Sequence, residues 1–455
     1  MSSERVWLGL VVLGALALRL IDAGSRLNHD EGYSWLVASA PDAGAFLSRL
    51  ARFENTPPLF YVLLAPLPLD HELWLRLPSI LAGTALIPVL YAIVRPLLGS
   101  GAALLAAVGL AVAPFAVSYS DYSRGFMLAG LGLLVALLAA QRLALGGSRR
   151  WWAVYALAAT GALYSEYYAA LYLLAIIGAL LVLGRPRRGE SVTLGAIPFV
   201  AFLPWIPQVV RSMNELGKTK LSFASTSVSF PVARDAVVPL FFGEHGSAQA
   251  LSVRSAQAIL VLVLLAVACA WLYRRASREA FWLLGGVLLA VLLLHLVASA
   301  VEANVFQQRY MTTVIGLAAA VMAGAISLMR WRALLPITAA GLALLGIAVA
   351  VRRAGREYEP DSPGAVAIAA SHGPRTILTN SAVVAFYGRK LHVRLDRPFG
   401  LGHGIERTCA PRCVVIDDAR YGGARTGPGA TIDLGPLSVR FPPREREPRG
   451  PLLSR

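Results

Sequence analysis

Apolar residues recur along the chain in runs of up to about 18 or more, and a helix of that length spans the hydrocarbon of a bilayer. These runs are Val6–Ile21, Leu73–Val94, Ala102–Val117, Phe126–Leu145, Trp151–Tyr164, Tyr167–Leu183, Val192–Val210, Ala256–Tyr273, Phe281–Ala300, Met311–Met329 and Ala333–Val351. With 56% hydrophobic residues and a mean hydropathy of +0.61, the chain is predicted to be an all-α polytopic membrane protein with about eleven transmembrane helices. The first run follows Glu4 and Arg5 and is read as an uncleaved helix rather than a leader, since many spans follow it.

The net charge of +16 would suit nucleic acid if it formed a patch, but it does not. The basic residues fall in short clusters between apolar runs: Arg5, Arg95, Arg142/Arg149/Arg150, Arg185/Arg187/Arg188, Arg274/Arg275/Arg278 and Arg330/Arg332. Counting crossings from a cytoplasmic N-terminus places every cluster inside, as the positive-inside rule requires. The loops 25–72 and 211–254, the short turns near Asp121, Glu166 and Glu302, and the C-terminal region then lie outside. The stretch Trp151–Leu183 sits between two inside clusters, so it must turn, and Ser165-Glu166 is the polar place to do so.

After Val351 the composition changes. Thr376–Thr379, Leu391–Leu395 and Cys413–Ile416 read as short strands, and Pro363–Ala370 and Ser381–Tyr387 as helical stretches. The predicted organisation is a transmembrane domain over 1–351, a small extracytoplasmic α/β domain over 352–440, and a disordered Pro/Arg-rich tail over 441–455. Cys269 lies inside a span and belongs to the core. Cys409 and Cys413 make a poor zinc site and are expected to pair as a disulfide in an oxidising compartment.

The residues with chemistry gather at the outer ends of spans. Leu27-Asn28-His29-Asp30-Glu31-Gly32-Tyr33 sets two adjacent carboxylates where the first apolar run gives way to a loop. A carboxylate near a membrane surface is costly unless it is solvated, paired or used. Asp121, Arg124, Glu166, Arg309 and Tyr310 share this side, with Lys218 and Lys220 in an outer loop. Guanidinium pairs bidentately with phosphate oxygens, so arginines and hydroxyls there suit a site for phosphate and sugar. Two plainer accounts are an Asp121–Arg124 pair at i,i+3 and a Glu302–Arg309 pair. His29, Asp30, Glu166, Glu244 and His245 hold the right atoms for a divalent metal, although nothing in their spacing demands one and no cofactor is assigned. His295 is mid-span and reads as a core histidine. The chain has no phosphate-cradling Gly-rich loop, nucleophilic triad or CxxC.

Leu18-Arg19-Leu20 followed by Asn28-His29-Asp30-Glu31-Gly32-Tyr33 resembles the first-loop motif of bacterial GT-C glycosyltransferases, the protein O-mannosyltransferase-like and aminoarabinose-transferase-like enzymes. Thr56-Pro57-Pro58-Leu59-Phe60-Tyr61 is similar to their His-Pro-Pro-Leu-Tyr-Tyr element, with Thr56 in place of histidine. Tyr119–Phe126 resembles their Ser-x-x-x-Arg-x-Tyr element, with Phe126 for tyrosine, and Gln308-Arg309-Tyr310 their late Arg-Tyr pair. The resemblance covers most of residues 1–350.

The resemblance implies an enzyme of the bacterial plasma membrane that moves a sugar from a polyprenyl-phosphate donor to an envelope glycan, lipid or protein, with inversion at the anomeric carbon. In that reaction Asp30 is expected to be catalytic, with Glu31 beside it, and Arg124, Arg309, Tyr310, Lys218, Lys220, Asp121, Glu166, His29 and Tyr33 are expected to bind substrate, the lysines and Glu166 on charge and sidedness rather than on the resemblance. Two rivals come from other classes. A lipid-linked sugar transporter or flippase predicts internal repeats and charges at membrane depth, whereas a lipid-binding scaffold would survive loss of Asp30.

Overall fold

The computed structural model describes residues 3–54, 56–219, 251–301, 308–329, 334–353, 362–371, 377–379, 381–393, 414–418, 431–434 and 437–440. They form two compact units. The first holds residues 1–24, 41–67 and 76–355; the second holds 25–40, 68–75 and 356–455.

The first unit is helical. Its elements include α1 (Ser3–Leu20), then, beyond α2 of the second unit (His29–Ala38), α3 (Ala43–Phe53), α4 (Leu59–Leu64) and α5 (Glu72–Val112), which begins in the second unit. There follow α6 (Pro114–Ser120), α7 (Phe126–Ala144), α8 (Arg150–Leu163), α9 (Ala169–Leu183), α10 (Arg188–Phe202) and α11 (Ile206–Thr219). The later helices are α12 (Leu251–Arg275), α13 (Val287–Val301, entered through a π-helical turn Phe281–Gly286), α14 (Ile315–Ser327) and α15 (Leu334–Arg353).

The run α5 is two helices rather than one. Gly99 interrupts it at φ +87°, a left-handed conformation that glycine adopts without steric cost. As one straight rod, the roughly 28 residues from Gly83 to Ala111 would span about 42 Å. Instead, both ends meet Arg19: its guanidinium donates to the Ala111 carbonyl at 3.1 Å, and its Nε lies against Gly83. The chain therefore doubles back at Gly99, close to the break expected between Leu73–Val94 and Ala102–Val117. The second break expected from sequence also appears, since α8 ends at Leu163, α9 begins at Ala169, and the turn between them carries Ser165 and Glu166.

Packing in this unit inverts the pattern of a water-soluble protein. Leu157, Leu344 and Ile337 on α8 and α15 are 77%, 68% and 66% exposed, whereas Arg19, Glu54, Arg124 and Glu166 are all below 10%. Apolar side chains facing out and charges facing in are stable only when the surrounding solvent is apolar. Among the described residues, five helices are long and apolar enough to cross a membrane: Glu72–Val112, Phe126–Ala144, Arg188–Ser212, Val253–Arg275 and Arg278–Ala298.

In the second unit, α16 (Ser362–Ser371) and α17 (Ala382–Lys390) pack with a four-stranded sheet of β1 (Ile377–Thr379), β2 (Val414–Asp418), β3 (Thr431–Leu434) and β4 (Leu437–Arg440). The strand order is β1-β2-β4-β3, with β1 parallel to β2 and the other pairings antiparallel. Leu391–Val393, expected to begin a strand, closes the C-terminus of α17 instead. His392 takes φ +55° and the Val393 N–H reaches back to the Gly388 carbonyl at 2.8 Å, satisfying a carbonyl the helix leaves open. Cys409 and Cys413 lie outside the described residues.

Helix α2 belongs to this unit and packs on α17. The Leu27 N–H donates to the Tyr387 hydroxyl at 3.0 Å, Trp35 meets the Phe386 ring at 5.9 Å, and the Trp35 indole donates to the Leu69 carbonyl. Lys390 pairs with the buried Glu72 at 2.6 Å. Gly32 is what allows the close approach, because a Cβ there would stand 2.7 Å from Val383 Cγ2 and 2.8 Å from its backbone nitrogen. Gly32→Val should therefore push α2 off α17 and cost about 1–3 kcal/mol. Thermal unfolding of the detergent-solubilised chain checks this, and an unchanged midpoint would show that the contact does not exist.

Candidate functional site

Four segments of the first unit meet around Arg124. The first is the stretch from Glu54 to Tyr61. Pro57 and Pro58 stand directly before α4, where a missing N–H and a fixed φ cost nothing. Phe60 and Tyr61 are each 1% exposed, so these aromatics face inward rather than along a membrane surface. The Leu59 N–H donates to the Tyr164 carbonyl at 2.9 Å, which joins this segment to the turn before α9. The second segment runs from Asp121 to Gly125. The Ser79 hydroxyl holds the Arg124 carbonyl at 2.9 Å, and Gly125 presses on the Ser165 carbonyl so closely that a Cβ would lie 2.6 Å from it. The third is the Ser165–Tyr168 turn, and the fourth is a 3-10 turn, Gln308–Thr313.

Arg124 forms a buried ion pair with Glu54, and its guanidinium also donates to the Tyr61 hydroxyl at 2.9 Å. That hydroxyl shares a 2.6 Å hydrogen bond with Thr56. Glu54 and Tyr61 thus hold one nitrogen of the Arg124 guanidinium, with Thr56 behind Tyr61, and none of the three was among the expected site residues. The only local signal is an acidic residue just before the Thr-Pro-Pro element; a partner 70 positions away leaves no periodicity to read.

Glu166 sits beside this pair. It is 3% exposed and feels the charges of both Arg124 and Arg309. Burial pushes its carboxyl up to about 7, against the pull of the Tyr168 N–H, Arg124, the Tyr167 N–H and Arg309. Arg309 is exposed, and the adjacent Tyr310 meets Tyr168 at a tilt of 46° with ring centroids 3.9 Å apart and approaches Phe126 at 6.5 Å. Burial, reinforced by the charge of Glu166, raises the Tyr310 phenol well above its ordinary range, so it remains a hydrogen-bond donor. Of the residues expected to bind substrate, Arg124, Glu166, Arg309 and Tyr310 are therefore brought together, with buried Asp121 in the same loop as Arg124.

The remaining residues belong to other elements. His29, Asp30, Glu31 and Tyr33 are on α2 in the second unit. Asn28 caps this helix by accepting the Glu31 N–H, while the buried Glu31 carboxylate accepts the Asn28 N–H at 3.0 Å. Asp30 is half-buried in the same first turn, and the His29 and Tyr33 rings meet edge-on at 4.9 Å. Lys218 falls in the last turn of α11, its side chain outside the described residues, as are Lys220, Glu244, His245 and Glu302. Among the described residues, no group of three His, Cys, Asp or Glu side chains is arranged to hold a metal ion.

With this geometry in place, comparison with known proteins identifies the fold. Residues 55–209 match a family model described as dolichyl-phosphate-mannose-protein mannosyltransferase. A search of curated proteins finds no match. Among solved structures, the Archaeoglobus fulgidus oligosaccharyltransferase AglB, in complex with an inhibitory peptide and a dolichol-phosphate, superposes with a TM-score of 0.55 at 12% identity, over 92% of this chain and 70% of that one. The same enzyme in complex with Zn and sulfate gives 0.52 at 13%, over 87% and 58%. ArnT from Cupriavidus metallidurans bound to undecaprenyl phosphate gives 0.47 at 15%, over 95% and 97%. This chain spans between 58% and 70% of the oligosaccharyltransferase chains. It has the GT-C glycosyltransferase fold.

Removing one member of a buried ion pair strands the other, so Glu54→Ala should destabilise the chain by about 3–5 kcal/mol. Tyr61→Phe should cost about 1 kcal/mol. The Glu54→Ala/Arg124→Ala double variant should lose clearly less than the sum of its singles, as measured by denaturation in detergent. Strictly additive losses would show that the two side chains do not interact.

Proposed function

We propose that the protein is a membrane glycosyltransferase that moves a sugar from a polyprenyl-phosphate donor to an envelope glycan, lipid or protein on the outer face of a bacterial plasma membrane. One observation carries this. The loop carrying Arg124, where Gly125 presses on the Ser165 carbonyl, and the turn carrying Arg309, where Tyr310 meets Tyr168 at 3.9 Å, both border the turn that holds buried Glu166, inside a unit whose exterior is apolar. A lipid-linked phosphate is the ligand that such a setting suits, because its tail partitions into the bilayer and its head meets charge within reach of the lipid. The match of residues 55–209 to the mannosyltransferase model, and the shared fold of an oligosaccharyltransferase solved with a dolichol-phosphate, support the same assignment.

In this mechanism an acceptor hydroxyl attacks the anomeric carbon and its proton passes to the Asp30 carboxylate as general base. The bond from that carbon to the phosphate oxygen breaks, and polyprenyl phosphate leaves as a stable anion, so no strong general acid is required. Arg124 and Arg309 neutralise the charge that builds on the leaving oxygen, with Lys218 and Lys220 as further cations. A single displacement inverts the anomeric centre. Asp30 is assigned on its motif and on its half-buried place at the start of α2, where Glu31 is committed to the capping box. Eleven spans, a cytoplasmic N-terminus and an extracytoplasmic C-terminal region complete the proposal, supported by the sidedness of the arginine clusters.

Asp30→Asn should lower transfer by about 10² to 10⁴ while leaving the protein abundant and folded. Arg309→Lys keeps the charge and loses the planar fork, so it should also transfer poorly. The assay is mass spectrometry of envelope glycans and lipid-linked sugars in a deletion strain carrying each variant. Full complementation by Asp30→Asn would remove the general-base role.

A further inference from the structure

Helix α2 is almost wholly enclosed within the second unit. Glu31, Gly32 and Ser34–Ala38 are buried, and the residues of α2 left half-buried are His29, Asp30 and Tyr33. A helix turns about 100° per residue, so Gly32 and Asp30 point to opposite sides of it. Gly32 faces α17, since a Cβ there would stand 2.7 Å from Val383 Cγ2. Helix α17 therefore backs α2, and Asp30 points away from that contact. Two donors fix where α2 begins. The Asn28 N–H goes to Glu31 inside the cap. The Leu27 N–H lies before the helix, where no carbonyl of α2 can serve it, and Leu27 is only 1% exposed, so its partner has to come from another element. That partner is the Tyr387 hydroxyl of α17, at 3.0 Å. Tyr387 is itself held: it is buried, Phe386 meets its ring edge-on at 5.0 Å, and the Lys390 ammonium stands 5.9 Å from the ring centroid while it pairs with Glu72.

Resting on the assignment of Asp30 as general base, we propose that α17 is the mount of that base and Tyr387 its positioning residue. By accepting the Leu27 N–H, the Tyr387 hydroxyl sets where α2 starts, and with it where the Asp30 carboxylate stands. Tyr387 touches neither the substrate nor the proton in transit. A general base must come within about 2.6–3.2 Å of the atom it deprotonates, and a displacement of about 1 Å can cost about 10² in rate. Without the hydroxyl, the Leu27 N–H is stranded in a buried place and the chain entering α2 has to shift to find another acceptor. Asp30 moves with it. The C-terminal region on this account serves the transfer reaction itself, through a contact 360 positions along the chain. A merely structural Tyr387 changes how much protein folds and leaves the rate of each folded molecule alone.

Tyr387→Phe keeps the ring and loses the acceptor. In the deletion strain, with envelope glycans and lipid-linked sugars read by mass spectrometry and normalised to folded protein, transfer should fall about ten- to a hundredfold. Hydrogen exchange of the purified full-length variant should quicken over residues 27–34 and stay as in the parent over α7–α9. Because Tyr387 acts through Asp30, adding Tyr387→Phe to Asp30→Asn should lower transfer no further. Parental transfer by Tyr387→Phe, unchanged exchange at α2, or a loss that multiplies with that of Asp30→Asn each overturns the positioning role and leaves the general-base reading standing. If Tyr387→Phe does not accumulate, Gly32→Ala decides the matter, since it disturbs the same mount from the α2 side: transfer should fall in the single variant and no further beside Asp30→Asn, and parental transfer or multiplying losses overturn the mount. Full transfer by Asp30→Asn alone removes the general base, and the mount with it.

Discussion

A guanidinium buried among apolar helices has to be answered by an anion, and around Arg124 that requirement organises the first unit. Glu54 supplies the charge, while Tyr61 and Thr56 extend the hydrogen-bond chain. Because the partners come from separate segments, the ion pair fixes the stretch before α4 against the loop before α7. The Gly125 contact with the Ser165 carbonyl and the Leu59–Tyr164 hydrogen bond then bring in the turn that carries Glu166. Taking charges out of water is costly, and the Coulombic return is uncertain unless hydrogen bonds complete the set. A fold that keeps Arg19, Glu54, Arg124 and Glu166 inside an apolar exterior spends stability to hold a polar site within reach of lipid.

The two adjacent carboxylates of the first loop have different physical tasks. Glu31 accepts the Asn28 N–H in a reciprocal cap, which fixes where α2 starts. Asp30, one residue earlier, is half-buried in the same first turn, so the cap sets its backbone position. Gly32 completes the arrangement by letting α2 approach α17 more closely than any side chain would permit.

Much of this architecture is legible in the sequence because its cause is local. The break at Ser165-Glu166 is where two basic clusters expected on one side call for a turn, and the turn near Gly99 follows from the gap between apolar runs. The turns that carry Arg124, Glu166 and Arg309 all fall at ends of apolar runs, which is how the sequence marks them. Pairings over long separations are not legible. Nothing in the Glu54 neighbourhood announces Arg124, and nothing in Leu27 announces Tyr387, 360 positions away. The strands β3 and β4 escape notice because four-residue segments, only two positions apart in sequence and beside glycine and proline, carry too few positions for a period of two to register. His392 closes α17 in a left-handed conformation, which the alternating apolar residues around it mask as a strand.

The central claim is that the first unit holds a lipid-linked phosphate between Arg124 and Arg309, next to Glu166. Single-particle cryo-electron microscopy of the chain in nanodiscs containing polyprenyl phosphate tests it directly. The phosphate should lie within hydrogen-bond reach of both guanidiniums, with its isoprenoid tail leaving along the apolar exterior. Lipid phosphate bound at another place, with this cluster unoccupied, would contradict the account.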